Sequence, residues 1–140
     1  MIRKANAKWQ GDLKSGKGII STESGVLSST PYSFTKRFES EKGTNPEELI
    51  AAAHAGCFSM ALSAQLGTVG ITPESIETSA DVSLDKLDSG WTVTKVHLTV
   101  RARIPGADTA KFDTAAKNAK EGCPISKLLK AEITMDAKLV

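Results

Sequence analysis

Residues 45–66 constrain the fold more than any other part of the chain. The Asn-Pro-Glu-Glu sequence at residues 45–48 has the form of a helix start, with a capping asparagine, a proline at the first helical position and two acids at the positive end of the helix dipole. The residues that follow are largely Ala, Ser and Gly. The pattern predicts a long helix that runs to about Leu66 and ends at Gly67 or Gly70.

Small side chains dominate the surface of this predicted helix. One stripe along it consists of Leu49, Ala53, Gly56, Cys57, Met60 and Ala64. Further apolar residues widen the apolar surface, so we expect the helix to be covered on most of its sides. Small residues allow two backbones to approach closely, which suits a helix in a sheet-covered core or in tight contact with a second copy of itself. We expect both, with the homodimer as a hypothesis.

Strand-like segments lie before the helix, at residues 2–9, 16–22 and 32–38. Mixed polar and apolar residues separated by Gly or Pro predict an opening antiparallel meander there.

After the helix, residues 75–84 and 91–104 predict two long strands joined through a turn-rich link at residues 86–90. The second strand alternates apolar and polar residues, so one face is expected to be buried. The chain then predicts helices at residues 109–120 and 124–130 and a closing strand at residues 132–139.

The length of 140 residues and an apolar fraction of 40% suit one globular domain. We therefore expect residues 1–140 to form a single α+β domain with antiparallel sheets around the long central helix.

Charge and hydropathy exclude several classes of partner. Eighteen Lys and Arg against sixteen Asp and Glu give a net charge of +2, with no basic run that would follow a phosphate backbone, so no nucleic acid partner is expected. No apolar stretch of signal-peptide length follows the early Lys and Arg, and no long uninterrupted apolar run appears. We expect no membrane association and a cytoplasmic location.

The chain has two cysteines, Cys57 within the predicted long helix and Cys123 in the Gly-Cys-Pro-Ile-Ser sequence at residues 122–126. Two thiols suit dithiol chemistry, in which one sulfur attacks an oxidant and the other resolves the product as a disulfide. In a reducing compartment such a pair indicates catalysis, sensing or metal binding more often than a structural disulfide. Two unrelated buried thiols are the alternative.

The two thiols differ in their expected acidity. Cys123 precedes a proline at the start of a short helix, where free backbone N–H groups favour a thiolate, so it is expected to be the more acidic. Cys57 lies inside its helix, and burial alone would raise its pKa. No Lys or Arg lies near Cys57 in the helix, and His54, three residues earlier, is the only local candidate for a cation. A cation that favours the Cys57 thiolate is therefore expected to come from elsewhere in the fold.

Residues 43–61 and the motif at residues 122–126 resemble the osmotically inducible protein C (OsmC) and organic hydroperoxide resistance (Ohr) family, with the OsmC branch the closer match. The likeness covers essentially the whole chain, including residues 81–85 and 130–134. It implies an intertwined α+β homodimer that acts as a thiol peroxidase and reduces hydroperoxides, preferentially organic ones.

The resemblance also implies site residues. Cys57 becomes the nucleophile and Cys123 the resolving thiol, with Glu47 and an arginine beside the nucleophile. By resemblance to the OsmC branch, that arginine is Arg37. The other branch supplies the arginine from an earlier strand, which leaves Arg3 as an alternative. An external dithiol, of lipoyl type in at least one branch, would reduce the enzyme, and no metal, haem or flavin is implied.

In this mechanism Arg37 would hold the Cys57 thiolate and donate hydrogen bonds to the distal peroxide oxygen, while Glu47 fixes the guanidinium. Glu47 and Cys57 would lie about 15 Å apart along one helix and could not touch. Either Arg37 bridges the gap, or two copies of the helix cross. We expect active sites shared between the subunits of the homodimer.

Simpler interpretations stay open. Glu47 could be an ordinary first-turn acid, and Arg37 a solvated residue of a strand. His54 on an apolar helix is typical of a hydrogen-bonded core histidine. As a whole, the chain could instead be a thiol-disulfide redox switch, or a non-enzymatic carrier of a small ligand.

Overall fold

The computed structural model describes residues 1–140. Six strands and four helices follow one another as β1 (Ala5–Gln10), β2 (Lys17–Thr22), β3 (Thr30–Ser33), α1 (Phe34–Phe38), α2 (Pro46–Gly67), β4 (Ser75–Leu87), β5 (Gly90–Arg103), α3 (Thr109–Gly122), α4 (Pro124–Leu128) and β6 (Glu132–Leu139). The predicted α+β fold class is confirmed. The chain divides into two compact units, Met1–Leu49 and Ile50–Val140. The expectation of a single domain over residues 1–140 stays a prediction.

The first unit contains the predicted antiparallel meander, a sheet in the order β1-β2-β3. Its third strand is shorter than predicted. Ser33 caps a new helix by accepting a hydrogen bond from the backbone N–H of Lys36, so residues 34–38 form α1 and not a strand. The serine hydroxyl offers the backbone an alternative to the sheet ladder, and this places Arg37 on a helix.

The predicted helix start lies at the end of the same unit. The Asn45 side-chain oxygen accepts a hydrogen bond of 2.8 Å from the backbone N–H of Glu48, and Pro46 is the first residue of α2. Helix α2 ends at Gly67, one of the two predicted ends.

The second unit contains a sheet in the order β4-β5-β6. β4 and β5 are antiparallel, and β4 continues to Leu87, beyond its predicted end, because the turn between the strands shortens to residues 88–89, with Gly90 at a φ of 112°. β5 has its predicted length and begins and ends one residue earlier than predicted. β6 runs parallel to β5, so this sheet is mixed and not antiparallel. The two helices between β5 and β6 make a connection long enough for a parallel return.

The core lies between this sheet and the helices of the second unit. The alternation predicted in the second long strand is confirmed, since its apolar face is buried. The buried hydrophobic cluster comprises Phe58, Leu62, Leu66, Val96, Leu98, Val100, Ala102, Ile104, Phe112, Ala115, Ala116 and Ala119.

Helix α2 buries a narrower stripe than predicted. Only four of its 22 residues are buried, at four-residue spacing: His54, Phe58, Leu62 and Leu66. Most of the predicted stripe is exposed, including Gly56 and Met60, while Cys57 is half-buried. The expectation of a helix covered on most sides is therefore wrong for the single chain. By length and composition α2 could also cross a membrane, a test that core helices of soluble proteins pass as well.

Candidate active site

Cys123 lies at the junction of two helices. Its backbone N–H donates a hydrogen bond of 2.9 Å to the Ala119 carbonyl at the end of α3, and Pro124 begins α4 immediately after it. Proline suits this position because the first N–H groups of a helix have no intrahelical partner. The Cys123 side chain is fully buried.

Helix α2 places Cys57 directly against Cys123. The two sulfur atoms lie 3.0 Å apart, although the residues are 66 positions apart in the sequence. Both are free thiols, and Cys57 is the more exposed of the two. A disulfide needs an S–S distance of about 2.05 Å, so once one sulfur is oxidised a small movement of either side chain would let the bond form.

The surroundings of Cys123 favour its thiolate. Burial alone would raise the pKa of Cys123, but the hydrogen bond with Cys57, the N–H groups of Ser126 and Ile125 and the Ser126 hydroxyl together lower it. The Cys123 side chain makes no capping hydrogen bond to α4, so the helix start favours its thiolate through the dipoles of the nearby N–H groups. This agrees with the acidity expected for a thiol at the start of a helix.

Cys57 has the opposite environment. Burial raises the pKa of Cys57, and the hydrogen bond with Cys123 raises it further, against a smaller lowering by the Ile125 N–H. The interior of α2 offers no free N–H group to this sulfur. Within Ile50–Val140 no cation is seen to lower the pKa of Cys57. The sequence predicted that such a cation would have to come from elsewhere in the fold.

A second polar contact joins α2 to α4. His54 Nε2 lies 2.8 Å from Ser126 Oγ, while His54 Nδ1 is buried without a hydrogen-bond partner. The His54 side chain is fully buried, and burial lowers its pKa, so the imidazole is neutral at physiological pH. His54 is thus the hydrogen-bonded core histidine that the sequence favoured.

Arg37 and Glu47 form a two-point ion pair in the first unit. Arg37 Nε donates to Glu47 Oε2 at 3.2 Å, and Arg37 Nη2 donates to Glu47 Oε1 at 2.6 Å. The guanidinium carbon also lies 5.0 Å from the centre of the Phe38 ring. The arginine side chain remains 34% exposed against 13% for the glutamate, so the fork is held firmly while part of it stays accessible.

Arg3, the alternative arginine, is exposed and donates to the Ile2 carbonyl. The ion pair with Glu47 is made by Arg37. Which of the two arginines serves the reaction stays a prediction.

The first unit also has an apolar cavity of about 260 Å³ beside Arg37. It is lined by Trp9, Leu13, Tyr32, Ser33, Phe34, Arg37 and Phe38. The cavity is suited to an alkyl or aryl group next to a cation.

The structure thus brings the four predicted residues together as two pairs, Cys57 with Cys123 and Arg37 with Glu47. The thiol pair can exchange two electrons by forming a disulfide. Sequence reasoning gave no role to Phe38, which stacks on Arg37, or to Ser126. The sequence offered one signal for each residue: Phe38 directly follows Arg37, and Ser126 lies three residues after Cys123.

Comparisons with known proteins identify the family of this chain. The family model described as OsmC-like protein matches residues 39–138, which include both cysteines and Glu47. Peroxiredoxin OsmC of Escherichia coli (strain K12) is 60% identical over 137 residues, covering 98% of this chain and 96% of the relative. Organic hydroperoxide resistance protein OhrB of Bacillus subtilis (strain 168) is 31% identical over 124 residues, covering 87% of this chain and 88% of the relative.

The fold has solved counterparts as well. The crystal structure of OhrB of Bacillus subtilis superposes with a TM-score of 0.71 at 26% identity, covering 96% of this chain and 98% of that one. The resemblance seen in the sequence is confirmed, and this chain belongs to the OsmC-like protein family.

Proposed function

We infer that this chain is a thiol-dependent peroxidase that reduces organic hydroperoxides. The observation that carries the inference is the 3.0 Å approach of the Cys57 and Cys123 sulfurs. It occurs in a chain whose relatives are named Peroxiredoxin OsmC and organic hydroperoxide resistance protein.

Exposure supports Cys57 as the attacking sulfur. Cys123 is the more acidic thiol but is fully buried, whereas Cys57 is partly exposed and can meet a peroxide. In the first step the Cys57 thiolate attacks the distal peroxide oxygen and the O–O bond breaks. The leaving alkoxide takes a proton and departs as an alcohol, and Cys57 becomes a sulfenic acid.

Cys123 then resolves the sulfenic acid. Its thiolate attacks the Cys57 sulfur, the S–O bond breaks, and hydroxide leaves and takes a proton to become water. The resulting disulfide protects Cys57 from irreversible oxidation. Proximity makes this step fast, because the two sulfurs are already in contact before oxidation.

An external dithiol completes the cycle by supplying two electrons, and a lipoyl-type dithiol is our candidate from the sequence resemblance. Every turnover consumes one dithiol, so the enzyme needs a compartment with a steady supply of reduced thiols. We place it in the cytoplasm for that reason.

Arg37 and Glu47 are proposed to activate the nucleophile. A cation beside a buried thiol favours its thiolate, and a guanidinium held by a carboxylate can also donate hydrogen bonds to a peroxide oxygen. The two hydrogen bonds from Arg37 to Glu47 support this proposal because they fix the direction of the fork.

The active unit is proposed to be a homodimer with sites shared between subunits. The exposed face of α2 supports a second copy of the chain as its cover, because it is rich in small residues and includes Met60, which is 77% exposed. Soluble proteins seldom leave so apolar a helix face in water.

A heterodimer of a Cys57→Ser subunit and an Arg37→Ala subunit tests the shared site. If Arg37 serves Cys57 of the partner, one of the two sites regains both groups, and about half of the wild-type activity returns. Dimers of either variant alone are inactive or nearly so. A heterodimer no more active than its parents would contradict shared sites while leaving the peroxidase assignment intact.

The peroxidase assignment itself is tested by consumption of cumene hydroperoxide with dihydrolipoamide or dithiothreitol. We expect turnover in the wild type and none in Cys57→Ser. Cys123→Ser should undergo a single rapid oxidation and then lose activity when reductant is scarce. Equal peroxide loss in all three proteins would reject the assignment, and slow oxidation without turnover would favour a redox switch.

A further inference from the structure

Two contacts between side chains join α2 to the start of α4, and they lie one helical turn apart. Cys57 meets Cys123 at 3.0 Å, and His54 meets Ser126 at 2.8 Å. His54 lies three residues before Cys57, and Ser126 lies three residues after Cys123, so each pair of neighbours shares a face of its own helix. The His54–Ser126 contact therefore fixes α4 against α2 immediately beside the two sulfurs.

The direction of this contact follows from the buried Nδ1 atom of His54. Nδ1 has no hydrogen-bond partner, and a buried donor without an acceptor is costlier than a buried acceptor without a donor. The single proton of the neutral ring therefore lies on Nε2, which donates to Ser126 Oγ. The hydroxyl proton of Ser126 is then free to point towards Cys123, whose pKa this hydroxyl helps to lower.

We propose that His54 and Ser126 are positioning residues for the resolving step, holding the Cys123 sulfur against Cys57 so that the disulfide closes rapidly. The proposal rests on the thiol cycle described above. It concerns the step in which the Cys123 thiolate attacks the Cys57 sulfenic acid and releases hydroxide. It assigns neither residue a part in the attack on peroxide.

Without the contact, the start of α4 would be held to α2 mainly by the sulfurs themselves. Closure of the disulfide would then have to order α4 as well as form the bond, which slows a step that otherwise gains from pre-organisation. Loss of one hydrogen bond of this kind corresponds to about a five- to tenfold slower closure.

The experiment separates the two chemical steps by rapid mixing with one equivalent of cumene hydroperoxide. Formation of the Cys57 sulfenic acid is followed by trapping with dimedone, and disulfide closure by the loss of the Cys123 thiol. Ser126→Ala removes the hydroxyl, and Ser126→Thr restores it. His54→Gln keeps a side-chain amide able to donate to Ser126, which guards against the misfolding that a smaller residue at this buried site could cause.

Ser59→Ala is the matched control. Ser59 lies on the same helix, and its hydroxyl contacts the Ala55 carbonyl at 2.9 Å and Thr78 Oγ1 at 2.8 Å, away from the sulfurs. The Ser59→Ala variant loses a hydroxyl on α2 but leaves the His54–Ser126 contact unchanged. We expect its closure rate to equal that of the wild type.

The expected result is slower closure in Ser126→Ala, recovery in Ser126→Thr and His54→Gln, and unchanged sulfenic acid formation throughout. Closure in Ser126→Ala as fast as in the wild type would overturn the proposal, as would equal slowing in Ser59→Ala. If the wild type itself forms no sulfenic acid, the proposed peroxidase function fails at its first step, an outcome distinct from both.

Discussion

The regions around the two thiols have opposite properties. At the start of α4, the hydrogen bond with Cys57, the helix N–H groups and the Ser126 hydroxyl lower the pKa of Cys123, although its side chain is fully buried. In the middle of α2, burial raises the pKa of Cys57, yet that sulfur is partly exposed. Acidity and access are thus assigned to different sulfurs. A reaction that needs both must bring a cation to Cys57 from outside its own helix environment.

The largest predicted effect concerns that cation. Arg37→Ala should lower kcat/KM for cumene hydroperoxide about 10²- to 10³-fold, because in the proposed mechanism Arg37 supplies both the charge that favours the Cys57 thiolate and the donors to the peroxide oxygen. Arg37→Lys keeps the charge but loses the two-point fork to Glu47, so it should restore only part of the rate.

Arg3→Ala is the control for this prediction, since Arg3 is exposed and donates to its neighbour's carbonyl. Full activity is expected for it. Full activity in Arg37→Ala with loss in Arg3→Ala would transfer the role to the other arginine and break the proposed link between Glu47 and the nucleophile.

A smaller effect should appear in the titration of the single thiols. In Cys57→Ser the new hydroxyl can still donate to the Cys123 sulfur, so the Cys123 thiolate should form at a lower pH than an ordinary thiol. In Cys123→Ser combined with Arg37→Ala, which removes the proposed cation, the Cys57 thiolate should form at a higher pH than an ordinary thiol, because burial is the largest influence on its pKa. Ultraviolet absorbance of the thiolate measures both.

The reverse order of these two titrations would show that tertiary contacts, and not helix position, set the acidity of each sulfur. Alkylation of the native protein gives an independent measure of access. Iodoacetamide should modify Cys57 first and leave Cys123 protected until unfolding.

The same contrast explains what the sequence could predict. Local signals sufficed for the cap of α2 at Asn45 and for the buried face of β5, since each depends on residues close in the sequence. The acidity of Cys123 was predicted from its place at a helix start, although the largest lowering of its pKa comes from the hydrogen bond with the distant Cys57. The helix at Arg37 was missed because the Ser33 cap overrides a strand-like pattern.

Non-local features could not be predicted in the same way. The parallel pairing of β6 depends on where the chain returns after two helices, and the buried stripe of α2 on which face meets the sheet. The resemblance to a family, and not periodicity, led to Arg37 and Glu47 as predicted site residues. Ser126 gained a role only when its contact with His54 became visible.

A pH effect on stability should report on the buried His54. Its folded-state pKa is lowered by burial, so the unfolded chain binds more protons in the window below the unfolded pKa of about 6.5. This contribution to stability is complete above that pH and is lost as the pH falls towards the folded pKa. The free energy of unfolding, measured in urea, should therefore decrease between about pH 7 and about pH 5.5.

His54→Gln supplies the comparison, because glutamine does not titrate. Its free energy of unfolding should change less than that of the wild type over the same pH range. Equal pH dependence in the two proteins would mean that other groups cause the slope and that protonation of His54 does not disturb the α2–α4 contact.

The smallest predicted effect lies at the far end of the helix that delivers Cys123. Asp108 caps α3 by accepting hydrogen bonds from the N–H groups of Ala110 and Lys111 at 2.8 and 3.2 Å. Asp108→Ala should lower the free energy of unfolding by about 1 kcal/mol, and Asp108→Asn by less, because asparagine keeps the acceptor. Cys123 is tied to the other end of α3 through Ala119 and to α2 through its own contacts, so disulfide closure should keep its wild-type rate in both variants. Slower closure in Asp108→Ala would mean that the position of Cys123 depends on the whole of α3, and the local account of its region would have to be widened to include that helix.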